Sequence, residues 1–237
     1  MAITVVKSIR TLDRGFVLTP ERYNPNRKLQ NRSHPDSIKL SDIVVLANEI
    51  ISPKQAAMRT DDVLIINTGD AYEGHIRMPE KKKNIWNSNK KIVKAGDVII
   101  SRLRPYLRQI AYVDNGIFLH NETAVCAVST EFYVMRAKDN RNIGFVVPLL
   151  LSSRVQSVFV NAVEGNQHPR FNDDVLLGIE IPKLILDTAD AISASVVENI
   201  SLIRQYETSM YEKTKMYSQY MAGQHERGIS VQPYLNV

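Results

Sequence analysis

The feature that most constrains the fold is a C-terminal segment without proline or glycine, from Asp187 to about Ala222. Its apolar residues recur every seven positions, the repeat of a helix that packs against a partner helix. At about 1.5 Å per residue such a helix is about 54 Å long, more than the diameter of a small domain. Part of it must therefore project. The predicted dimerisation contacts are Ile192, Val196, Ile200, Ile203, Met210 and Tyr217, with Tyr206 beside them.

Two interpretations of this segment stay open: a coiled-coil-type helix, and an ordinary amphipathic helix lying on the domain. In both, the helix spans 183–222 and Gly223 ends it, which leaves 223–237 as a flexible tail. Residues 1–182 carry alternating apolar runs separated by turn-forming residues. The predicted fold class is α+β, with a mixed-sheet domain over 1–182 followed by the long helix.

Four segments of the domain are predicted in detail. Apolar spacing predicts a helix over 38–51, ended by a Ser-Pro pair, and another over 142–163. Residues 98–113 are predicted to form two strands joined by a turn at Arg104-Pro105. Residues 175–182 are predicted to form a strand that a proline ends.

The charge of the chain is unevenly distributed. The net charge is +5, but residues 81–110 contain nine lysines and arginines against one aspartate, a local charge of +8. The other residues sum to −3, so the basic character belongs to one patch. Such a patch suits a polyanion or an acidic protein. The alternative is a solvated, lysine-rich loop without a partner.

Catalytic equipment is missing from the sequence. It has no P-loop, no dinucleotide fingerprint and no nucleophile elbow. The five histidines never occur at the spacing of a helical zinc site, and Cys126, the only cysteine, lies in an apolar run typical of an inert core residue. No apolar run approaches the roughly 18 residues of a membrane span, and the N-terminus does not resemble a signal peptide. A non-enzymatic, cytoplasmic protein without a metal or cofactor is predicted.

Groups suited to binding a nucleic acid remain. Arginine and lysine neutralise phosphates, arginine also contacts guanine, and asparagine and glutamine contact adenine. If the turns that carry these groups cluster at one end of a sheet, they form a surface that reads bases. For the turn at 164–174, turn-forming chemistry alone is an equal alternative. The predicted DNA-binding residues are Asn67, Thr68, Lys81, Lys82, Lys83, Lys90, Lys91, Arg102, Arg104, Tyr106, Arg108, Asn166, Gln167, His168 and Arg170.

The alternation of side-chain direction along a strand distinguishes the arginines of the hairpin. Arg102 and Arg104 share a face with Val98 and Ile100, and no acid lies near them in the sequence. Arg102 is predicted to brace the loop from within, which leaves Arg104 and Arg108 as the better candidates for direct contact with DNA.

Three motifs together resemble a known family. GDVIISRLRPYLRQIAYV (96–113), STEFYVMRAKD (129–139) and the GNQHPRF loop before VLLGIEIP (165–182) are similar to the target-recognition domains of type I restriction-modification specificity subunits. The resemblance covers roughly residues 38 to 217, and three motifs in the right order are more specific than any one of them.

The resemblance implies a non-catalytic reader of double-stranded DNA. Members of this family have two recognition domains separated by long helices, and they recruit a methyltransferase (modification) subunit and a restriction/translocase subunit. S-adenosylmethionine, Mg²⁺ and ATP are then expected only in those partners. This chain is half-sized by comparison, with one domain and one long helix. A homodimer paired antiparallel through the long helix is therefore expected to rebuild the two-domain arrangement and to read an interrupted palindrome.

Two other functions stay open. In the first, the chain is a protein-interaction module whose basic patch and helix dock an acidic protein partner rather than DNA. In the second, weaker alternative, it is a stand-alone nuclease with an unrecognised site. Salt-dependent binding to random duplex DNA discriminates the first alternative, and a cleavage assay with magnesium discriminates the second.

Overall fold

The structure is a computed structural model that describes residues 36–59, 63–77, 87–118, 125–164 and 167–227, together with three isolated residues near the N-terminus. Side chains are described as far as Ala222. Within these ranges no helix is both long and apolar enough to cross a membrane.

Short strands and helices alternate along most of the chain. The strands are β1 (Ser37–Lys39), β2 (Val44–Leu46), β3 (Ile50–Ile51), β4 (Val63–Ile66), β5 (Ala71–Tyr72), β6 (His75–Ile76), β7 (Lys90–Val93), β8 (Val98–Ser101), β9 (Ile110–Tyr112), β10 (Val125–Ser129), β11 (Phe132–Ala137) and β12 (Glu180–Pro182). The helices are α1 (Leu40–Ile43), α2 (Pro53–Ala57), α3 (Val146–Leu151), α4 (Ser153–Ala162), α5 (Asp173–Leu177), α6 (Lys183–Asp187) and α7 (Ala189–Arg227).

The described strands form two four-stranded sheets and two small strand pairs. One sheet has the order β3-β7-β10-β4, in which β10 pairs parallel with β4 and antiparallel with β7. The other has the order β2-β11-β8-β9 and is antiparallel throughout. The small pairs are β1-β12 and β5-β6. The predicted α+β class with a mixed sheet is confirmed.

The main core lies between the two large sheets. Leu64, Cys126 and Val128 of the first sheet pack in one cluster with Ile99 and Phe132 of the second. All four residues of β8 are buried, because the sheet is covered on both faces. This double burial explains why the strand is a continuous apolar run rather than an alternating one.

Each sheet also has an outer cover. On the first sheet, Ala56 of α2 packs with Ile65 in a second, smaller cluster. On the second sheet, α3 contacts β9. The Tyr133 ring of β11 lies 5.7 Å from the Phe171 ring, which stacks at 4.5 Å on Phe159 of α4. The tyrosine hydroxyl donates to the Phe171 carbonyl oxygen at 3.0 Å, so this aromatic column is also fixed by a hydrogen bond.

Three predicted elements differ in the structure. Residues 38–51 contain the end of β1, one helical turn, β2 and β3, since residues 44–46, two of them β-branched, pair with β11 instead of continuing a helix. The helix predicted over 142–163 is broken at Ser152, which has extended backbone and caps α4. The strand predicted over 175–182 is shorter: α5 occupies its first half and β12 its second.

The long helix is confirmed, with different limits. A single turn of helix, α6, precedes it, and α7 begins at Ala189 and continues through Gly223 to Arg227. The prediction that Gly223 ends the helix is therefore wrong, and 228–237 lie outside the described residues. The chain divides into two compact units, 1–197 and 198–237, so the first turns of α7 belong to the domain.

In the first unit, the start of α7 packs closely on the loop before α3. Ser193 is fully buried; its hydroxyl accepts from the Phe145 backbone N–H at 3.0 Å and donates to the Asn142 carbonyl oxygen at 3.1 Å. A Cβ added at Gly144 would lie 3.2 Å from the Ser193 backbone. Glycine is favoured here by the close approach of two segments of backbone.

Candidate nucleic-acid interface

The strand registers bring the predicted binding turns to one end of the two sheets. The last residue of β4, Ile66, pairs with Val128 near the end of β10, and Ser129 pairs with Lys90 at the start of β7. In the second sheet, Phe132 at the start of β11 pairs with Ser101 at the end of β8. The turns at 67–70, 102–109 and 129–131 therefore all leave the sheets at this end, which we call the tip end.

The loop 164–171 joins the same surface through its backbone. The Arg104 N–H donates to the Pro169 carbonyl oxygen at 3.0 Å, and the Phe171 N–H donates to the Arg102 carbonyl oxygen at 3.2 Å. The Arg102 backbone N–H in turn donates to the Glu131 carbonyl oxygen at 2.9 Å. Three loops distant in sequence are thus joined by main-chain hydrogen bonds, which do not depend on the side chains they carry.

The tip of the hairpin is a tight turn with strained backbone. Pro105–Leu107 form one turn of 3-10 helix, and Arg104 and Arg108 flank it with φ of +49° and +53°. A non-glycine residue in this left-handed region costs about 1 kcal/mol or more, so the surrounding contacts must impose it. Glu73, whose N–H donates to the Arg108 carbonyl oxygen, is the third such residue among those described, with φ of +42°. Backbone strain is therefore concentrated where the hairpin meets the β5-β6 pair.

Glu131 holds two arginines from two different loops. Its carboxylate accepts from Arg102 Nε at 2.9 Å and from Arg170 Nε and Nη2 at 2.9 and 2.7 Å. The bonds from Arg170, together with those from Arg102, outweigh burial and lower the pKa of Glu131 to about 2. Burial disfavours the charged form of Arg102, but Glu131 outweighs it and raises the pKa of that arginine. The carboxylate is therefore ionised at neutral pH.

Arg108 is also paired. Its Nε lies 2.9 Å from Glu73 Oε1 but is not aligned for a hydrogen bond, and its Nη2 donates to the Leu151 carbonyl oxygen at 3.2 Å. The sequence suggested that the hairpin arginines have no acid nearby. The structure corrects this for Arg102 and Arg108, whose acids come from elements distant in sequence. Arg102 braces the loop, as its position on the strand face suggested, and Arg108 has a bracing contact as well.

Arg104 differs from the other two arginines of the hairpin. Its side chain is exposed and makes no ion pair with any described residue. Tyr106 and Leu107 beside it are 57% and 42% exposed, although they belong to a turn that contacts α4. The tip thus presents one cation and two apolar side chains to solvent on a fixed backbone.

The remaining predicted residues are placed as follows. Lys91 is half-buried; its Nζ donates to the Phe132 carbonyl oxygen at 2.9 Å, and burial, together with the charge of Arg102, lowers its pKa. Asn67 is exposed, and its side-chain amide donates to Asp70 in its own turn. Thr68, Lys90 and Arg170 are partly exposed, whereas Gln167 and His168 are exposed. Lys81, Lys82, Lys83 and Asn166 lie outside the described residues.

The other end of the hairpin contains a separate network of charges. Asp97, at the start of β8, is buried and bound by Arg136 through two hydrogen bonds of 2.8 and 2.9 Å. The hydrogen bonds that Arg136 donates to Asp97 raise the pKa of Arg136. Glu49 pairs with Arg136 and with Lys94, and these bonds lower the pKa of Glu49. Lys94 and Asp97 therefore do not contribute to the charge of the tip end.

Sequence reasoning missed two functional candidates, Glu131 and Glu73. Both are acids in or beside short turns between strands, and Glu131 lies inside one of the three motifs that carry the family resemblance. The position of Glu131 inside that motif was the signal in the sequence that could have identified it as a functional candidate. The pairing itself was not predictable, because Glu131 and Arg170 are 39 positions apart in the chain.

No cluster of metal-ligating side chains occurs among the described residues. Cys126 is buried between the sheets, and burial raises the pKa of its thiol to about 12. Such a thiol is not a nucleophile at neutral pH. The predicted role of Cys126 as a core residue agrees with this placement.

The predicted dimerisation residues fall into two groups. Ile192, Val196 and Ile203 are partly exposed, and Ile200 is buried. Met210 and Tyr217, which lie further along the second unit than Ile200 and Ile203, are 44% and 63% exposed. Other large apolar side chains exposed in the same unit are Leu202, Tyr206, Tyr211, Met216, Tyr220 and Met221.

Comparison with solved structures identifies the fold. A chain from a structure described as the basis of complex assembly and conformational transition of the type I restriction-modification system aligns with a TM-score of 0.53, at 20% identity, over 83% of this chain and 51% of that chain. The HsdS subunit from Thermoanaerobacter tengcongensis aligns with a TM-score of 0.48, at 18% identity, over 84% of this chain and 52% of that chain. No family model and no curated protein sequence matches the chain.

The fold is therefore similar to that of a chain of a type I restriction-modification system, and a long helix follows it. The resemblance predicted from the three sequence motifs is confirmed at the level of the fold. The chain spans about half the length of the solved chains it matches.

Proposed function

We propose that the chain is a non-catalytic, sequence-specific subunit that binds double-stranded DNA and directs a partner methyltransferase or nuclease to its target. The observation that carries the proposal is the convergence of four loops at the tip end, where Arg104 and Tyr106 are exposed on a fixed turn. Arginine on a rigid element is suited to bidentate contact with a guanine edge. A side chain carried on fixed backbone binds more tightly than one on a mobile loop, because less entropy is lost on binding.

The fold supports the same function. Its resemblance to a chain of a type I restriction-modification system makes a methyltransferase subunit and a restriction/translocase subunit the proposed partners. S-adenosylmethionine, Mg²⁺ and ATP are proposed to act only in those partners, so this chain needs no cofactor of its own. The proposed compartment is the cytoplasm, where such a complex meets DNA.

We further propose that two copies pair through the long helix. The second unit exposes Met210 and Tyr217, two of the positions of the seven-residue repeat, together with neighbouring tyrosines and methionines. Large apolar side chains in this number are costly to leave in water and typical of a helix that meets a partner. A homodimer would place two tip ends on the DNA and select a symmetric target in two parts. Equilibrium sedimentation that found only monomer, with and without DNA, would contradict this part of the proposal.

The decisive experiment is selection of bound duplexes from a random pool, followed by titration of the selected duplex. Arg104→Ala should weaken binding to the selected duplex by about 1–3 kcal/mol and relax the preference at one base pair. Arg141→Ala is the matched control. Arg141 is also exposed, but it follows the far end of β11 and pairs with Asp139.

The outcomes separate the candidate functions. A selected sequence together with a selective loss in Arg104→Ala supports the proposal. A wild-type chain that binds no duplex, at low salt and at any sequence, contradicts it and favours the protein-interaction module. Cleavage of DNA by the isolated chain with Mg²⁺ would contradict the non-catalytic assignment.

A further inference from the structure

A carboxylate lies at the end of the domain that is proposed to approach DNA. Glu131 is 23% exposed in its side chain, so it is close to solvent rather than sealed in the core. A negative charge beside a phosphate backbone is unfavourable, and a surface built only for phosphates has no use for it. The two arginines that it holds would by themselves supply a charge of +2, and the carboxylate reduces this to +1.

Each of the three guanidinium nitrogens of Arg170 donates to the protein, which leaves two of its five N–H groups. Two of its nitrogens donate to Glu131, and the third, Nη1, donates to the His168 carbonyl oxygen at 3.2 Å. Arg102 is partly engaged: its Nε donates to Glu131 at 2.9 Å. Neither guanidinium can turn to a phosphate without breaking hydrogen bonds to a charged partner, which are stronger than neutral ones.

The same contacts fix the relation between two recognition loops. Arg102 belongs to the hairpin and Arg170 to the loop 164–171, and Glu131 bonds to both from the turn between β10 and β11. Main-chain hydrogen bonds already join these loops, so the carboxylate is not required to bring them together. Its distinct contribution is to hold the directions and the charges of the two guanidinium groups.

We propose that Glu131 is a positioning residue that determines specificity: it restrains Arg102 and Arg170 from binding phosphates of any sequence and holds them where only the correct base edge is complementary. This inference rests on the proposed function. Discrimination between partners depends on disfavouring the wrong complex as well as favouring the right one. Glu131 weakens the sequence-independent part of DNA binding while it orders the sequence-dependent part.

The test is Glu131→Gln, measured on the selected duplex and on a random duplex over a range of salt concentrations. The variant should bind random duplex more tightly, and the slope of log K against log salt should become steeper by about 0.9 for each arginine that gains a phosphate. The ratio of specific to non-specific affinity should fall by roughly tenfold, as for a lost base contact. Glu131→Asp, which keeps the charge, should retain the shallower slope.

A matched control is Glu49→Gln. It changes the net charge of the chain by the same amount, but Glu49 pairs with Arg136 and Lys94 at the opposite end of the hairpin. Its salt slope and its specificity ratio should equal those of the wild type. Equal changes in both variants would show that net charge, not the placement of Glu131, sets the ratio, and would overturn the inference.

Arg170→Met provides a second test if Glu131→Gln does not fold. Because the Arg170 nitrogens are engaged with the protein, this variant should weaken binding to the selected duplex and leave the salt slope within about 0.3 of the wild type. A slope shallower by about 0.9 would mean that Arg170 contacts a phosphate directly, which overturns the inference.

Failure of this inference is distinguishable from failure of the proposed function. If the wild type shows no sequence preference, the proposed function fails before Glu131 is tested. If the wild type has a preference and Glu131→Gln loses affinity for both duplexes in proportion, with an unchanged slope, Glu131 has only a structural role. In that case the inference fails and the proposed function stands.

Discussion

The charge network at the far end of the hairpin allows a prediction about stability that is separable from DNA binding. Asp97 is the only acid in the basic segment 81–110, and its side chain is 2% exposed. Arg136 donates to both carboxylate oxygens, and the Lys94 backbone N–H donates to Oδ2 at 2.8 Å. Asp97→Asn replaces one of these acceptors with an NH₂ group that faces a donor. It also removes the negative charge that Arg136 faces.

The size of the effect follows from this geometry. Removing one partner of a buried ion pair costs about 3–5 kcal/mol, because the other charge is left without compensation. Arg136 is 25% exposed and keeps Glu49 as a second partner, so the lower end of the range applies, about 3 kcal/mol. In a protein of this size about 1 kcal/mol shifts Tm by about 2–4 °C. Asp97→Asn should therefore lower Tm by roughly 6–12 °C.

Thermal unfolding followed by circular dichroism measures this shift. The control is Asp139→Asn, which breaks an ion pair of the same type, with Arg141, on an acid whose side chain is 53% exposed. Exposed pairs contribute little, so this variant should unfold at the wild-type temperature. A decrease of less than about 3 °C in Asp97→Asn, or an equal decrease in the control, would refute the reasoning from burial. Below the transition, the variant should keep the wild-type salt slope of DNA binding, since Asp97 lies away from the tip end.

Two further predictions concern the packing of the long helix and the response to acid. Gly144→Ala should lower the free energy of unfolding by about 1–3 kcal/mol, because its Cβ would press on Ser193 of α7. Gly69→Ala is the control and should be neutral, because there is open space around Gly69. Urea unfolding compares the two variants, and equal midpoints would contradict the close approach of Gly144 to Ser193. The pKa of Glu131 is lowered to about 2 from an ordinary value near 4.5, so its stabilising contribution is complete above pH 4.5 and is lost as the pH falls towards 2. Glu131→Gln should therefore lose less stability than the wild type between these pH values, and parallel curves of stability against pH would contradict the pairing.

Local patterns were sufficient to predict the hairpin and the long helix. The strands at 98–101 and 110–112 are apolar runs on either side of an Arg-Pro turn, and the helix from Ala189 has a sustained repeat. In each element the residues that form the pattern lie within a few positions of one another, and periodicity therefore detects them. The helix predicted over residues 38–51 was wrong because the structure of this segment depends on a contact with a distant part of the sequence. Their apolar spacing fits a helix, but pairing with β11, about 90 positions away, decides that 44–46 are a strand.

The distinction between local patterns, which the sequence shows, and long-range contacts, which it does not, also applies to the candidate interface. The types of side chain that carry the predicted contacts were readable from sequence, and so was the expectation that Arg102 braces its loop. The acids that brace the tip were not, since Glu73 and Glu131 come from other turns. An ion pair between loops depends on the register of several strands, and a change of one position in any register would move the partner to another face.

Ion pairing also changes the meaning of the charge on segment 81–110. The structure describes six of its nine basic residues, and four of the six have a charged or main-chain partner: Lys91, Lys94, Arg102 and Arg108. A phosphate backbone that meets this surface therefore encounters fewer available cations than the sequence count suggests. A surface with most of its charge restrained binds non-specific DNA weakly, because counterion release scales with the cations that reach phosphates. Discrimination then depends on the few groups that stay exposed on fixed backbone, Arg104 foremost among them, and on the acids that hold the others in place.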